Sequence, residues 1–163
     1  MKRFVDWKEY CNLIKRLSDK ITPELPIHQF DQILCLARGG MLLGDALSRI
    51  YDLPLSVLFT SSYRIAEQKG ELYIDNQIAK QNNMLGKRIL LVDDLVDSGT
   101  TLEGVVQYLK EHHQVEYIKT ATLWAKTSSV VMPDYCVEYT TSKDWIVQPF
   151  EIFEDINIHK HKK

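Results

Sequence analysis

The chain has 163 residues, 45% hydrophobic and 26% charged, with a formal net charge of −2. That length suits one domain with a full core, and the absence of a basic excess speaks against a general nucleic-acid binder. No apolar run reaches the ~20 residues of a membrane helix, and Asp6, Lys8 and Glu9 stand where a signal peptide would carry its apolar core.

Asp6 and Glu9 are spaced as a capping box ahead of Tyr10, Leu13, Ile14 and Leu17, which repeat at helical intervals. Ile33–Ala37 reads as a short apolar strand, and Leu43, Ala46, Leu47 and Ile50 repeat at the intervals of a second helix. Leu55–Thr60 is the next strand. From Ser61 to Lys87 polarity is mixed and broken by Gly70 and Gly86, with at most a short hairpin over Glu71–Ile78. A connection this long in a compact domain reads as a lid or binding loop, with a plain surface insertion as the alternative. Ile89–Val92 is a third strand. Leu102, Val105, Val106 and Leu109 mark a third helix, with Thr100 and Glu103 spaced to cap its start, and Val115–Leu123 is a fourth strand. Cys11, Cys35 and Cys136 are an odd, scattered set, read as reduced thiols of a cytoplasmic protein. The HKHKK of residues 159–163 reads as a solvated basic end.

Apolar strands alternating with amphipathic helices predict an α/β domain whose mostly parallel sheet is covered on both faces. No repeat, linker or low-complexity tract divides residues 1–163. In such a sheet, ligands bind beyond the carboxyl ends of the strands. Two of those ends are informative. Arg38-Gly39-Gly40 follows the first strand and leads into a helix, a place where exposed amides and a guanidinium can hold an anion; taken alone it is equally a plain turn. Asp93-Asp94-Leu95-Val96-Asp97-Ser98-Gly99-Thr100-Thr101 follows Val92. Adjacent carboxylates repel unless a cation or ligand hydroxyls satisfy them, and the Asp-Ser-Gly-Thr-Thr run at a helix start can wrap a phosphate monoester. Neither a Walker loop nor a dinucleotide fingerprint is present. The combination suggests a phosphorylated sugar.

Ile89–Thr101, ILLVDDLVDSGTT, resembles the phosphoribosyl-pyrophosphate (PRPP) signature of type I phosphoribosyltransferases. Ala37–Gly40 resembles the family's pyrophosphate loop, Thr60–Tyr63 the opening of its flexible loop, and Asp144–Glu151, DWIVQPFE, the hood motif of bacterial xanthine-guanine phosphoribosyltransferases. The resemblance implies a central mostly parallel sheet flanked by helices, a flexible catalytic loop at about 61–87 and a small C-terminal hood at about 127–158. It implies a pentosyltransferase of purine salvage, joining a 6-oxopurine (guanine, xanthine or hypoxanthine) to PRPP with Mg2+ as cofactor. It also implies homo-oligomers.

By position, Arg38 and Gly39 would hold the pyrophosphate, with Lys69 as the nearest cation where the subfamily's flexible loop carries an arginine. Asp93 and Asp94 would serve the ribose hydroxyls and the hydrated magnesium, with Asp94 the metal residue. Ser98, Gly99, Thr100 and Thr101 would hold the 5′-phosphate. Asp97 would meet the imidazole nitrogen of the purine, Lys126 its 6-oxo group, Trp145 its face and the Ile146 backbone its edge. The pattern breaks at Lys69, at Phe150 where tryptophan is usual, and after Lys126, where Thr-Ser-Ser replaces the expected proline. Two alternatives remain: a phosphoribosyltransferase for another base, and a regulator that binds PRPP or nucleotide without turnover.

Overall fold

The computed structural model describes residues 2–65, 68–81 and 83–156, with side chains described except at 62–65, 68–71 and 155. The Lys69 side chain and the tail 159–163 therefore lie outside the described residues.

Strand β1 (Lys2–Phe4) leads into helix α1 (Trp7–Ile21). Asp6 caps α1, its Oδ1 accepting the Glu9 amide at 2.7 Å, an interaction worth about 1 kcal/mol. The expected capping box is half formed, because the Glu9 carboxylate binds Arg3 instead. A single turn, α2 (Leu25–His28), precedes β2 (Gln32–Ala37), which is followed by α3 (Met41–Tyr51), β3 (Leu55–Ile65) and β4 (Gln68–Lys80). Then come β5 (Arg88–Val96), α4 (Thr100–His112), β6 (Tyr117–Lys126), β7 (Tyr135–Thr140), β8 (Trp145–Val147) and a last turn, α5 (Ile152–Asp155).

Six strands form the main sheet in the order β4-β3-β2-β5-β6-β7, parallel except for β4. Side-chain alternation sends Ile33, Cys35, Leu90 and Val92 to one face, where they meet Leu13, Leu17 and Ile21 of α1 and Leu43 and Leu47 of α3. Leu34, Leu36, Ile89 and Leu91 go to the other face, against Leu102, Val105 and Leu109 of α4. The sheet is thus buried on both sides, which is why its central strands read as unbroken apolar runs. Trp124 of β6 is fully buried and packs against Tyr10, ring centroids 6.3 Å apart.

Three expectations need correction. Residues 61–65 and 68–80 carry most of two long antiparallel strands, β3 with β4, where a loop with at most a short hairpin was expected. β4 is an edge strand without a continuous apolar face, so it carries little of the pattern that marks a central strand. Thr100 does not cap α4: the N-cap is Gly99, in the left-handed region at φ 84°, and the Glu103 amide reaches the Gly99 carbonyl. Finally, β5 and β6 reach further than their apolar cores, so the acidic pair lies inside β5 and Lys126 ends β6.

The chain winds outward from β2 to β3 on one side and from β5 to β6 and β7 on the other. The winding therefore reverses between β2 and β5, and a doubly wound sheet opens a crevice there, beyond the carboxyl ends of those strands.

Candidate active site

Arg38 and Gly39 follow β2, and Asp93 and Asp94 stand near the end of β5, so both informative segments reach the crevice. Contact between them is close: a β-carbon on Gly39 would lie 2.5 Å from Asp94 Oδ1. Only glycine lets the turn and the carboxylate share that space. Asp94 Oδ1 accepts the Leu95 amide at 2.8 Å, and Asp93 Oδ1 accepts the Asp94 amide at 2.9 Å. Burial first, and the neighbouring Asp94 charge second, hold the Asp93 carboxyl well above the ordinary carboxylate range. Arg38 is exposed and pairs with no carboxylate among the described residues.

The Asp97–Thr101 run opens α4. Ser98 Oγ and Thr100 Oγ1 lie 2.8 Å apart, and the first amides of a helix have no intrahelical acceptor. Hydroxyls and amides therefore converge where a phosphate would find donors. A β-carbon on Gly99 would meet Ser129 Oγ at 2.5 Å and the Val131 backbone at 2.8 Å, so the loop after β6 packs directly on this turn. The Ser98 carbonyl accepts the Val130 amide at 3.0 Å, a second tie between the two loops.

Lys126, its side chain 14% exposed, places Nζ 2.8 Å from Asp97 Oδ1. Thr127 donates its amide to the Thr140 carbonyl, and the Thr141–Asp144 turn, held by Asp144 Oδ2, carries the chain from β7 to β8. β8 pairs in parallel with β1 as a separate two-stranded sheet, with Trp145 opposite Lys2 and Ile146 opposite Arg3. Trp145 is 54% exposed, so its ring is not a core ring, whereas Ile146 is buried. Beyond β8, Gln148 donates from Nε2 to Asp94 Oδ2, and its buried Oε1 has no hydrogen-bond partner among the described residues. An open cleft of about 690 Å³ runs between the two segments, lined by Arg38, Gly39 and Asp94 below and Gln148, Phe150 and Glu151 above. A second groove, about 540 Å³, lies between α4 and the loop after β6, with Val106, Ile118 and Met132 in its lining and none of the sequence-derived site residues.

The phosphoribosyl transferase domain matches residues 2–155. The chain belongs to that family. A xanthine-guanine phosphoribosyltransferase from Idiomarina loihiensis is 29% identical over 91% of this chain and 86% of its own. Among solved structures, a purine phosphoribosyltransferase from Pyrococcus horikoshii is 33% identical, with a TM-score of 0.75, covering 91% of this chain and 93% of its own. The Helicobacter pylori xanthine-guanine-hypoxanthine phosphoribosyltransferase is 26% identical, with a TM-score of 0.79, over 99% of this chain and 100% of its own.

In this phosphoribosyltransferase, Arg38, Gly39 and Asp94 line one cleft, and Asp97 and Lys126 form one ion pair. Sequence reasoning missed Gln148. It sits in the quoted DWIVQPFE stretch, but nothing in a lone glutamine announces that its amide reaches an aspartate 54 residues away.

Proposed function

We propose that this phosphoribosyltransferase serves purine salvage, moving the phosphoribosyl group of PRPP to a 6-oxopurine. A bond forms between the anomeric carbon and a purine ring nitrogen, the bond from that carbon to pyrophosphate breaks, and a nucleoside 5′-monophosphate leaves. The observation that carries the reading is the Lys126–Asp97 pair, one cation and one anion side by side next to a phosphate-wrapping turn. A 6-oxopurine offers an acceptor oxygen to the ammonium, and its imidazole edge offers a ring N–H to the carboxylate.

Displacement at an anomeric carbon passes through an oxocarbenium-like state, so charge builds on the departing pyrophosphate. Arg38 meets that charge with a planar fork. Ser98–Thr101 anchor the 5′-phosphate and fix the sugar's position. Asp93 and Asp94 hold the ribose hydroxyls. Asp97 takes or shares the proton at the imidazole nitrogen while the other ring nitrogen attacks. Trp145 supplies a face for stacking, worth roughly 1–3 kcal/mol and tolerant of base identity, so selection falls to Lys126 and the Ile146 backbone. The β3–β4 hairpin, with Lys69 in β4, is the element that closes over the sugar and excludes water.

Mg2+ fits this site. Asp93 and Asp94 offer oxygen alone, and no cluster of three or more ligating side chains exists among the described residues. Magnesium binds through one or two carboxylates and takes its other ligands from substrate phosphates and water. When bound, it neutralises charge on the pyrophosphate. Homo-oligomeric assembly and a cytoplasmic location belong to the same reading; no helix among the described residues is long and apolar enough to cross a membrane.

The test is product chemistry. Protein incubated with PRPP, Mg2+ and guanine should yield guanosine 5′-monophosphate and pyrophosphate in equal amounts. Tight PRPP binding with no nucleotide formed from any base would favour the regulator alternative.

A further inference from the structure

We propose that Arg3 is a positioning residue for the purine, setting the strand that carries Trp145 and Ile146 against the part of the main sheet that carries Lys126. The inference rests on the purine reading above.

β8 belongs to a two-stranded sheet of three-residue strands, a unit with little cohesion of its own. Whatever fixes β1 therefore fixes β8, through the register Lys2↔Trp145, Arg3↔Ile146, Phe4↔Val147 and the Val5 amide on the Val147 carbonyl at 2.9 Å. Val5 and Ile146 are buried in the core on one side of this pair. That apolar contact resists separation but sets no direction, because hydrophobic burial is non-directional.

Direction comes from Arg3. Its Nη1 donates to Glu138 Oε2 at 2.7 Å, and its Nη2 binds the Glu9 carboxylate at the start of α1. Glu138 is itself held: Oε1 accepts from Arg16 Nη1 at 2.9 Å and Oε2 from the buried Trp124 Nε1 at 3.2 Å. Burial alone would raise the Glu138 carboxyl, but the bonds from Arg3 and Arg16 outweigh it and hold the group below its ordinary value. A lone surface ion pair contributes little, whereas a partly buried network of several charges and an indole N–H is the kind that holds geometry.

The place of Glu138 gives the network its consequence. On β7 it stands opposite Trp124 of β6, and two residues further along, Thr140 stands opposite Lys126. One guanidinium thus ties β1, and through its pairing the strand bearing Trp145, to the strand beside the one bearing Lys126. Its other carboxylate partner anchors β1 to α1. Gln148, directly after β8, ties that strand's end to Asp94, on the sugar side of the site. Arg3 governs the base side.

The experiment compares wild type with Arg3→Ala and Arg3→Lys in steady-state kinetics and in amide hydrogen exchange. Arg3→Ala should raise KM for guanine about tenfold while kcat and KM for PRPP stay within about twofold, the pattern of lost base positioning. Arg3→Lys keeps a cation on the strand and should recover part of the loss. Exchange at the Ile146 and Val147 amides should quicken in Arg3→Ala while β2 and β5 amides keep their protection. An unchanged guanine KM, equal rises in both KM values, or uniform loss of protection across the main sheet would overturn the proposal. If Arg3→Ala does not fold, Arg3→Lys is read by the same criteria. Should wild type turn over no purine, the functional reading falls, and the exchange data still decide whether Arg3 sets β8.

Discussion

Lys126 Nζ stands 2.8 Å from Asp97 Oδ1, with the lysine largely buried and the aspartate 55% exposed. The two groups proposed to read the purine thus face each other as an ion pair. A 6-oxopurine can join this pair without leaving a charge unmatched, because it brings an acceptor to the lysine and a ring N–H donor to the aspartate. Adenine brings an amino group instead of the 6-oxo acceptor, and an ammonium facing another donor is left short of a partner.

Lys126→Ala should therefore act on base choice. KM for guanine should rise roughly tenfold to a hundredfold, in line with a hydrogen bond to a charged group. Adenine, already a poor fit, should lose less. Equal losses on the two bases, measured as kcat/KM in parallel assays, would show that the 6-position is read elsewhere.

Asp97→Asn should separate chemistry from binding. Turnover should fall about 10²–10⁴-fold, the usual contribution of a positioned acid or base. PRPP binding, followed by calorimetry with Mg2+ present, should stay close to wild type. Near-normal turnover would remove the proton role.

Gly39→Ala should damage the sugar side of the site. The new β-carbon would sit 2.5 Å from Asp94 Oδ1, so either the turn or the carboxylate must move. Affinity for PRPP with Mg2+ should fall at least about tenfold, as expected when a charged contact is displaced, with little change in Tm. Retained affinity would mean that the turn relaxes without disturbing Asp94.

Acid stability should report on Asp134. Burial raises this carboxyl, but Lys119 Nζ at 2.8 Å and the Thr120 amide and hydroxyl at 2.8 and 2.9 Å outweigh it and hold the group below its ordinary value. A carboxylate depressed in the folded state stabilises above its unfolded pKa of about 3.9, and that gain disappears as pH falls through the folded value. Asp134→Asn should lower the urea midpoint at pH 7, with the gap to wild type beginning to shrink below about pH 4 and closing only as pH falls through the depressed folded value. A gap that stays constant with pH would assign the loss to packing.

The sheet's centre was legible because its chemistry is repetitive. Ile33–Ala37 and Ile89–Val92 are buried on both faces, so their apolar runs could mean little else, and Leu43 with Leu47 and Leu102 with Val105 and Leu109 repeat at helical spacing in the core, although Ile50, of the same pattern, is half exposed. The acidic pair and the Ser-Gly-Thr-Thr turn were legible for a different reason: few arrangements satisfy such residues at a strand end. The periphery was not. β1 and β8 have three residues each, too few for any period; their contacts to the rest of the fold include the buried Val5 and Ile146 and the Arg3–Glu138 pair. β4 lies at the sheet edge, where polar residues are tolerated. The Gly99 cap escaped because Thr100 and Glu103 have the spacing of a box, while the tight approach of Ser129 and Val131 demands glycine one position earlier. Gln148 and Arg3 act across 54 and 135 residues of sequence, a separation that no local pattern records.

The most direct measurement is pyrophosphate release from PRPP and Mg2+ with guanine, xanthine, hypoxanthine, adenine and uracil supplied one at a time. Release should be rapid with one or more of the three 6-oxopurines and at least about a hundredfold slower with adenine and uracil, the discrimination expected when a buried donor is left unpaired. Equal release with adenine, or release with uracil alone, would contradict the assignment of Lys126 and Asp97 to a 6-oxopurine.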